Sequence, residues 1–457
     1  MTPPPMLGRW MAVQLPLLGL LMTMAMARLA RFPTLAGQGA NLLLLLVILV
    51  ACFCAALFVA RRLCRSDAAD GRGIAGVVLS FPVLLTVGIL MRLPLLAAPP
   101  QLSDDIYRYA WDGRVAVAGT NPYRYAPPDP ALSGLRDADW RRINNPTLPT
   151  IYPPVAQRLF EVATRIAPGV TGLKCLFFLF DLSVALLLSI TVARSFASRW
   201  RLLVWWWHPL AVIEWSGSGH VDVAGIALLA AALALAAAPA GYARWLVTGL
   251  LVGLATQVKF LALLALPFVP GAASRKSGGW VAAGFVLALL VGYLPFMAPG
   301  VNVFGSLETY AARWRASDFF FGLMIRSGTA QDQPARLTDA KLFVALLAGA
   351  IATGVALLRT RPAAAVATTI GAAVVLSPTV HPWYLAWVLP FVAAEFSIPW
   401  IYATLAALLA YQAVPAWLAG HVWSESAWQK GALVLPFLAL AVWELARWRA
   451  GRQEMAQ

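Results

Sequence analysis

The stretch Asn41–Ala60, NLLLLLVILVACFCAALFVA, decides the fold class of this chain. It runs for 20 residues without a charged side chain. An α-helix needs about 20 apolar residues to cross the hydrocarbon core of a bilayer. The stretch therefore predicts a membrane-spanning helix, and much of the remaining chain has the same character.

The composition extends this prediction to the whole chain. Of its 457 residues, 60% are hydrophobic and only 12% are charged, and the mean hydropathy is +0.73. A soluble protein of this size needs a more polar surface, so we expect an all-α polytopic membrane protein that forms a single domain, 1–457. Apolar runs between basic clusters and Pro/Gly breaks predict about 12 to 14 transmembrane helices. The predicted spans are Trp10–Ala27, Asn41–Ala60, Ile74–Met91, Gly172–Ala193, Leu202–Trp215, Val221–Ala238, Trp245–Val258, Phe260–Gly271, Trp280–Met297, Lys341–Leu358, Ala363–Thr379, Trp383–Phe396, Ile398–Leu418 and Lys430–Ala446.

The basic residues predict the orientation in the membrane. The net charge of +15 comes largely from arginine clusters in short connections, such as 61–72. Such clusters mark the cytoplasmic side, so they favour a multi-pass plasma (inner) membrane protein with both termini in the cytoplasm, and nucleic-acid binding is not expected. With both termini in the cytoplasm, the number of spans must be even. Residues 245–271 must therefore form two short helices, with Lys259 at the bend between them. Segments 94–170 and 299–340 become two extracytoplasmic loop regions, whose aromatic and proline-rich sequences predict interfacial helices.

The first of these loop regions carries a cluster of charge. Gln101–Tyr125 reads QLSDDIYRYAWDGRVAVAGTNPYRY. A helix over Ser103–Ala118 would place Ser103 at the N-cap and Asp104 and Asp105 in the first turn, where carboxylates suit the helix dipole. A solvated helix with i,i+3 and i,i+4 ion pairs to Arg108 is one interpretation. The other is a functional site, because Asp105, Arg108 and Asp112 share a face and charge is costly near a bilayer.

A second polar concentration lies in Trp205–Asp222, WWWHPLAVIEWSGSGHVD. Pro209 is expected to bend this helix, and the Gly-Ser-Gly run at 217–219 to break it. Glu214, His220 and Asp222 then meet at the break and become candidates for a site, although helix capping would explain Asp222 alone.

Cations for a phosphate group are present on the same predicted face. They are Lys259, Arg313, Arg315 and His381. Arginine matches phosphate oxygens bidentately, and lysine or protonated histidine supplies a point charge. The alternatives are a snorkelling Lys259 and arginines that contact lipid headgroups. We found no metal-ligand spacing and no nucleotide-binding loop, so no cofactor is expected, although the acidic pair could hold Mg²⁺ or Mn²⁺ with substrate phosphates.

Four motifs carry a resemblance to a known family. They are SDDIYRYAWDGRVAVAGTNPYRYAP from Ser103, TIYPPVAQ from Thr150, WWWHPLAVIEWSGSGHVD from Trp205 and SPTVHPWYLAWVLP from Ser377. Together they resemble the bacterial GT-C glycosyltransferases, and most of all the polyprenyl-phosphate-mannose-dependent mannosyltransferases. The resemblance extends over residues 94–390, while the N-terminal helices in 1–73 are additional to the pattern that we expected.

The resemblance implies an inverting transfer of a sugar, mannose in this subfamily, from a polyprenyl-phosphate donor. The acceptor would be an envelope glycolipid or glycan, reached on the extracytoplasmic face, and membrane lipids would surround the enzyme. Segment 94–170 would carry the catalytic base, Asp105 or Asp104. The donor phosphate would bind His381, Lys259, Arg313 and Arg315, and the candidate substrate-binding residues are Arg108, Asp112, Tyr152, Glu214, His220 and Asp222.

Two other functions stay open at this point. A transporter or flippase of a lipid-linked sugar would use the carboxylates as a cation relay. It would be expected to show two related halves with paired broken helices, which we did not find. A non-catalytic subunit of an envelope assembly would not need the acidic pair for any transfer reaction.

Overall fold

The computed structural model describes residues 5–65, 73–238, 241–271, 274–298, 302–325, 333–358 and 360–454. Helices make up most of these residues, and no β-strand occurs among them, in agreement with the predicted all-α membrane protein. Within this part of the chain, seven helices are long and apolar enough to cross a membrane, and five shorter apolar helices accompany them. Seven is fewer than the predicted 12 to 14 transmembrane helices, and a membrane-spanning role for the five shorter helices stays a prediction.

The N-terminal helices form one packed group. Helix α1 (Pro5–Ala30) packs against α2 (Gly39–Leu63) and α4 (Phe81–Ala97), and the short α3 (Ile74–Val78) precedes α4. The predicted span Ile74–Met91 is therefore two helices. The break falls at Ser80, which is extended, and Pro82 lies in the first turn of the next helix, where its missing N–H costs no hydrogen bond.

The first loop region folds into α5 (Asp105–Val117), two short 3₁₀-helices and α6 (Pro154–Ile166). Helix α5 begins two residues after the predicted Ser103, with Asp104 at the N-cap. Its residues from Ile106 to Gly113 are all buried, so the interpretation as a solvated helix is wrong. A Cβ at Gly113 would lie 2.5 Å from the carbonyl oxygen of Phe160, so only glycine permits this approach of α5 to α6.

Helix α7 (Val170–Thr191) is tied to α4 by a buried ion pair that we did not predict. The Arg92 guanidinium lies 2.6 Å from the Asp181 carboxylate, and both side chains are fully buried. Arg92 also stacks on the Trp206 ring and donates to the Trp206 carbonyl oxygen. Because an unpaired charge is costly in an apolar interior, this pair fixes the register of the two helices behind the first loop region.

The predicted span Leu202–Trp215 is wrong as a continuous helix. The chain forms a 3₁₀-helix, α8 (Leu203–Trp206), α9 (Pro209–Val212) and a π-helix (Ile213–Ser218) before α10 (Asp222–Ala237). Pro209 forces His208 out of the helical conformation. Gly219 adopts φ 73, in the left-handed region, and a Cβ there would lie 2.4 Å from Ile106 of α5. The break predicted at 217–219 is confirmed, and it lies directly against α5.

The two short helices predicted in 245–271 are confirmed. Helix α11 (Tyr242–Thr256) is followed by a 3₁₀-helix, Phe260–Phe268. Lys259 separates them in an extended conformation, with φ −157 and ψ 135. The bend brings a charged side chain into the interior of an otherwise apolar region.

The second loop region is described only in part, since residues 299–301 and 326–332 lie outside the described ranges. It follows α12 (Arg275–Tyr293) and contains α13 (Gly305–Arg313) and α14 (Phe319–Ile325). Its residue Ala316 forms a parallel bridge with Thr379, which holds the loop beside His381. The remaining helices are α15 (Gln333–Leu357), α16 (Pro362–Leu376), α17 (Pro382–Leu385), α18 (Leu389–Ala394), α19 (Ile398–Ala406), α20 (Val414–Leu418) and α21 (Ala427–Glu454).

Candidate active site

A cavity of about 790 Å³ lies where the two loop regions meet the bend at Lys259 and the segment before α17. Its volume is within the ~300–1,000 Å³ range of ligand pockets. Most of the predicted site residues line it together: Asp104, Asp105, Arg108, Tyr152, Lys259, Arg315 and His381. The structure therefore gathers into one cavity residues that lie far apart in the sequence.

The other predicted residues do not line this cavity. Asp112, Glu214, His220 and Asp222 are almost completely buried in the protein behind it. The side chain of Arg313 lies outside the part of the chain that the structure describes. The buried group can act only through neighbours that do reach the cavity.

The two adjacent aspartates share one hydrogen-bond donor. Asn144 Nδ2 donates to Asp104 Oδ1 at 2.8 Å and to Asp105 Oδ1 at 2.6 Å. Burial, with the charge of Asp105, raises the pKa of Asp104 to about 6, while the bond from Asn144 opposes this rise. Burial also raises the pKa of Asp105, against the charge of Lys259 and the bond from Asn144. We did not predict Asn144, because nothing in the sequence around it marks it as a partner of the pair.

Arg108 pairs with Asp112 and not with the first turn of α5. Its Nε lies 2.8 Å from Asp112 Oδ1, and its Nη1 donates to the Leu148 carbonyl oxygen at 3.0 Å. Gln157 donates to the second oxygen of Asp112 at 3.1 Å. These contacts join α5 to α6 and to the chain before it, so the face shared by Arg108 and Asp112 supports the cavity wall beneath Asp105.

Lys259 is held at the cavity wall by a buried carboxylate. Its Nζ lies 2.9 Å from both carboxylate oxygens of Asp222, and Oδ1 of Asp222 also accepts from Trp387 Nε1 at 2.7 Å. The ammonium also lies 4.1 Å from the centre of the Tyr384 ring, and 18% of the side chain is exposed. The snorkelling interpretation is therefore wrong, since Lys259 is fixed and faces the cavity.

His220 lies behind Asp105, between a carboxylate and an aromatic ring. Its Nδ1 is 2.7 Å from Glu214 Oε2, and its Nε2 is 3.2 Å from Ser103 Oγ and 3.8 Å from Asp105 Oδ2. The imidazole stacks on Trp383 at 4.0 Å. Trp383 stacks in turn on His381 at 4.4 Å, so one indole separates the two imidazoles.

Arg315 and His381, the other two candidate phosphate-binding residues in the cavity lining, differ in charge. Arg315 is bonded to Asp318, which also accepts from Lys430 at 2.8 Å. Burial, reinforced by the charge of Lys259, lowers the pKa of His381 to about 3. His381 is thus neutral at physiological pH and can donate a hydrogen bond, but it does not supply the point charge that we expected of it.

The described residues contain no group of three or more His, Cys, Asp or Glu side chains that could hold a metal ion. The acidic pair alone stays a candidate for a cation shared with substrate phosphates. The sequence-based prediction of no cofactor therefore stays a prediction.

Comparison with known proteins identifies the family. Residues 7–275 match the family model described as alpha-(1->6)-mannopyranosyltransferase, N-terminal domain. The chain belongs to this family. The match begins at residue 7, so it includes the N-terminal helices that we had treated as additional. The matched region contains the aspartate pair, Glu214, His220, Asp222 and Lys259.

Two curated relatives carry the same activity in their names. The chain is 26% identical over 377 residues to a probable α-(1→6)-mannopyranosyltransferase of Mycolicibacterium smegmatis, covering 68% of this chain and 65% of the relative. It is 25% identical over 363 residues to α-(1→6)-mannopyranosyltransferase A of Corynebacterium glutamicum, covering 72% of this chain and 70% of the relative. The chain thus spans just under two thirds of the first relative's length. No solved structure matches it.

Proposed function

We propose that this membrane protein transfers a mannosyl group from a polyprenyl-phosphate donor to a glycan or glycolipid acceptor of the cell envelope, with inversion at the anomeric carbon. The family supports mannosyl transfer. The proposed donor and mechanism rest on one observation: a carboxylate pair and a fixed lysine line the same cavity. A transfer of this kind needs a base for the acceptor hydroxyl and a cation for the departing phosphate.

Asp105 is the base in this proposal. Its side chain is 21% exposed, and it is oriented by Asn144 on one oxygen and faces His220 with the other. Of these two contacts, Asp104 makes only the one with Asn144. Because a general base must be held in place as well as ionised, the more constrained carboxylate is the better candidate. Asp105 would take the acceptor proton while the acceptor oxygen attacks the anomeric carbon.

Lys259 supplies the charge for the donor phosphate, with an N–H from neutral His381 and the guanidinium of Arg315 nearby. The charge of Lys259 opposes the rise that burial causes in the pKa of Asp105, and both residues line the cavity. Apolar side chains also line the cavity, including Leu261, Leu264, Leu307, Val414 and Trp417. Such a wall suits the isoprenoid chain of a lipid-linked donor.

We further propose that the cavity opens on the extracytoplasmic face, with both termini in the cytoplasm, and that the reaction needs no metal. The orientation is supported by the arginine clusters of the short connections. In this proposal the charge of Lys259 stabilises the phosphate in place of a divalent cation.

Reconstitution of the full chain in liposomes tests this function. With polyprenyl-phosphate [¹⁴C]mannose and a short α-(1→6)-mannoside acceptor, we expect a labelled, longer mannoside at equal rates in EDTA and in Mg²⁺. Label that moves between leaflets without a new glycoside would favour the flippase. Transfer from a nucleotide-linked mannose would contradict the lipid-linked donor, and a rate lost in EDTA would contradict metal independence.

The pH dependence of transfer should report the aspartate pair. Asp105 acts only when ionised, and its raised pKa places the acid limb of the rate at a higher pH than an ordinary aspartate would. Asn144→Ala removes a bond that favours the ionised forms, so both pKa values rise and the acid limb moves to higher pH. Initial rates across the pH range check this, and a limb that moves to lower pH or stays in place would contradict it.

A further inference from the structure

We propose that His220, anchored by Glu214, is a positioning residue that orients the carboxylate of Asp105 from behind. This inference rests on the proposed function, because it assigns His220 a task only if Asp105 is the base. It also revises the expectation that Glu214 and His220 bind substrate, since neither side chain has any solvent-exposed surface.

The two ring nitrogens of His220 contact different groups. Nδ1 lies 2.7 Å from Glu214, while Nε2 lies 3.2 Å from Ser103 Oγ and 3.8 Å from Asp105 Oδ2. Ser103 Oγ also accepts from the backbone N–H of Asp105 at 3.3 Å. His220 therefore contacts Asp105, the first residue of α5, and Ser103, which accepts from the backbone N–H of Asp105.

The protonation of the pair decides which nitrogen carries the hydrogen. Burial and the charge of Lys259 lower the pKa of His220 well below its usual range, so the ring is neutral and carries one N–H. Burial and the charge of Asp222 raise the pKa of Glu214 well above its usual range. In this proposal Glu214 is protonated and donates to Nδ1, which leaves the N–H of the ring on Nε2, facing Ser103 and Asp105.

The surrounding residues make this arrangement rigid. The ring stacks on Trp383 with an interplanar angle of 18°, which fixes its plane. Gly219, in its left-handed conformation, turns the chain from the π-helix so that His220 lies under α5. Besides His220, three groups favour the ionised form of Asp105: Lys259, Asn144 and Tyr152. The charge of Asp222 opposes it. An N–H from His220 also favours the ionised form of Asp105.

Two substitutions separate positioning from packing. His220→Leu fills a similar volume but removes the N–H, so we expect kcat to fall about 10- to 100-fold with the KM for the donor little changed. The acid limb should move to higher pH, because ionised Asp105 loses a favourable contact. His220→Gln can place an amide N–H near the position of Nε2, and it should recover a large part of kcat and return the acid limb toward its wild-type position.

The controls use the same full-length protein in nanodiscs, with polyprenyl-phosphate [¹⁴C]mannose as the donor. His208→Leu removes another fully buried imidazole from the same broken segment, away from the cavity, and it should lower the melting temperature without moving the acid limb. If His220→Leu does not fold, Ser103→Ala decides, since Ser103 is partly exposed and its loss should move the acid limb in the same direction.

Two results would overturn the inference: an unshifted pH profile in the His220→Leu or Ser103→Ala protein, or equal impairment by Leu and Gln. Asp105→Asn in the same preparation separates the two proposals. Full activity of that variant would overturn the assignment of the base. An inactive Asp105→Asn protein beside unaffected His220 variants would overturn only the positioning role.

Discussion

Asp105→Asn is expected to lower kcat for mannosyl transfer about 10²- to 10⁴-fold, which corresponds to about 3 to 5 kcal/mol of activation free energy. Asparagine keeps the size of the side chain and can still bond to Asn144, but it cannot accept the acceptor proton. Donor binding should be nearly unchanged, because the donor phosphate is held by other residues. Initial rates and equilibrium binding of the labelled donor, both in nanodiscs, measure the two quantities.

The matched control for this prediction is Asp104→Asn. It changes the neighbouring carboxylate, which shares the same Asn144 donor, so we expect a smaller loss of about tenfold or less. A reversed order of the two losses would make Asp104 the base. Wild-type turnover in both single variants would remove the general-base mechanism from this pair.

Lys259→Gln is expected to lower kcat about 10²- to 10³-fold, since it removes the charge that stabilises the departing phosphate. The substitution also leaves Asp222 buried beside a neutral side chain, which destabilises the fold. The double variant Lys259→Gln/Asp222→Asn removes both charges and should restore the melting temperature but not the rate. Thermal unfolding and kcat, measured on the same preparation, separate the two effects.

Lys430→Gln is the matched control for the loss of a lysine that is paired with a buried aspartate. Lys430 lies 2.8 Å from Asp318, but it does not line the large cavity, and Asp318 keeps its bond to Arg315. We expect kcat to stay at the wild-type value. A Lys259→Gln/Asp222→Asn protein with wild-type kcat would show that the phosphate is stabilised elsewhere.

Much of the fold could be predicted because its signals are local. Runs such as Asn41–Ala60 predict membrane helices from length and apolarity alone. The Gly-Ser-Gly run likewise predicted the break before His220, whereas the bend at Lys259 was predicted from the number of spans that the basic clusters require. The prediction of one span over Leu202–Trp215 was wrong, because Pro209 and the π-helix divide this segment.

The sequence by itself determined the membrane class, the charged first loop region and the types of residue available for a base and a phosphate site, because composition and spacing act along the chain. Only the tertiary structure decided how these residues combine. The bond from Asn144 to Asp104 joins residues 40 positions apart, and the contact between His220 and Ser103 joins residues 117 apart. Which residues form such pairs depends on which helices pack together. A charged side chain is buried with a particular partner only once that packing has excluded water.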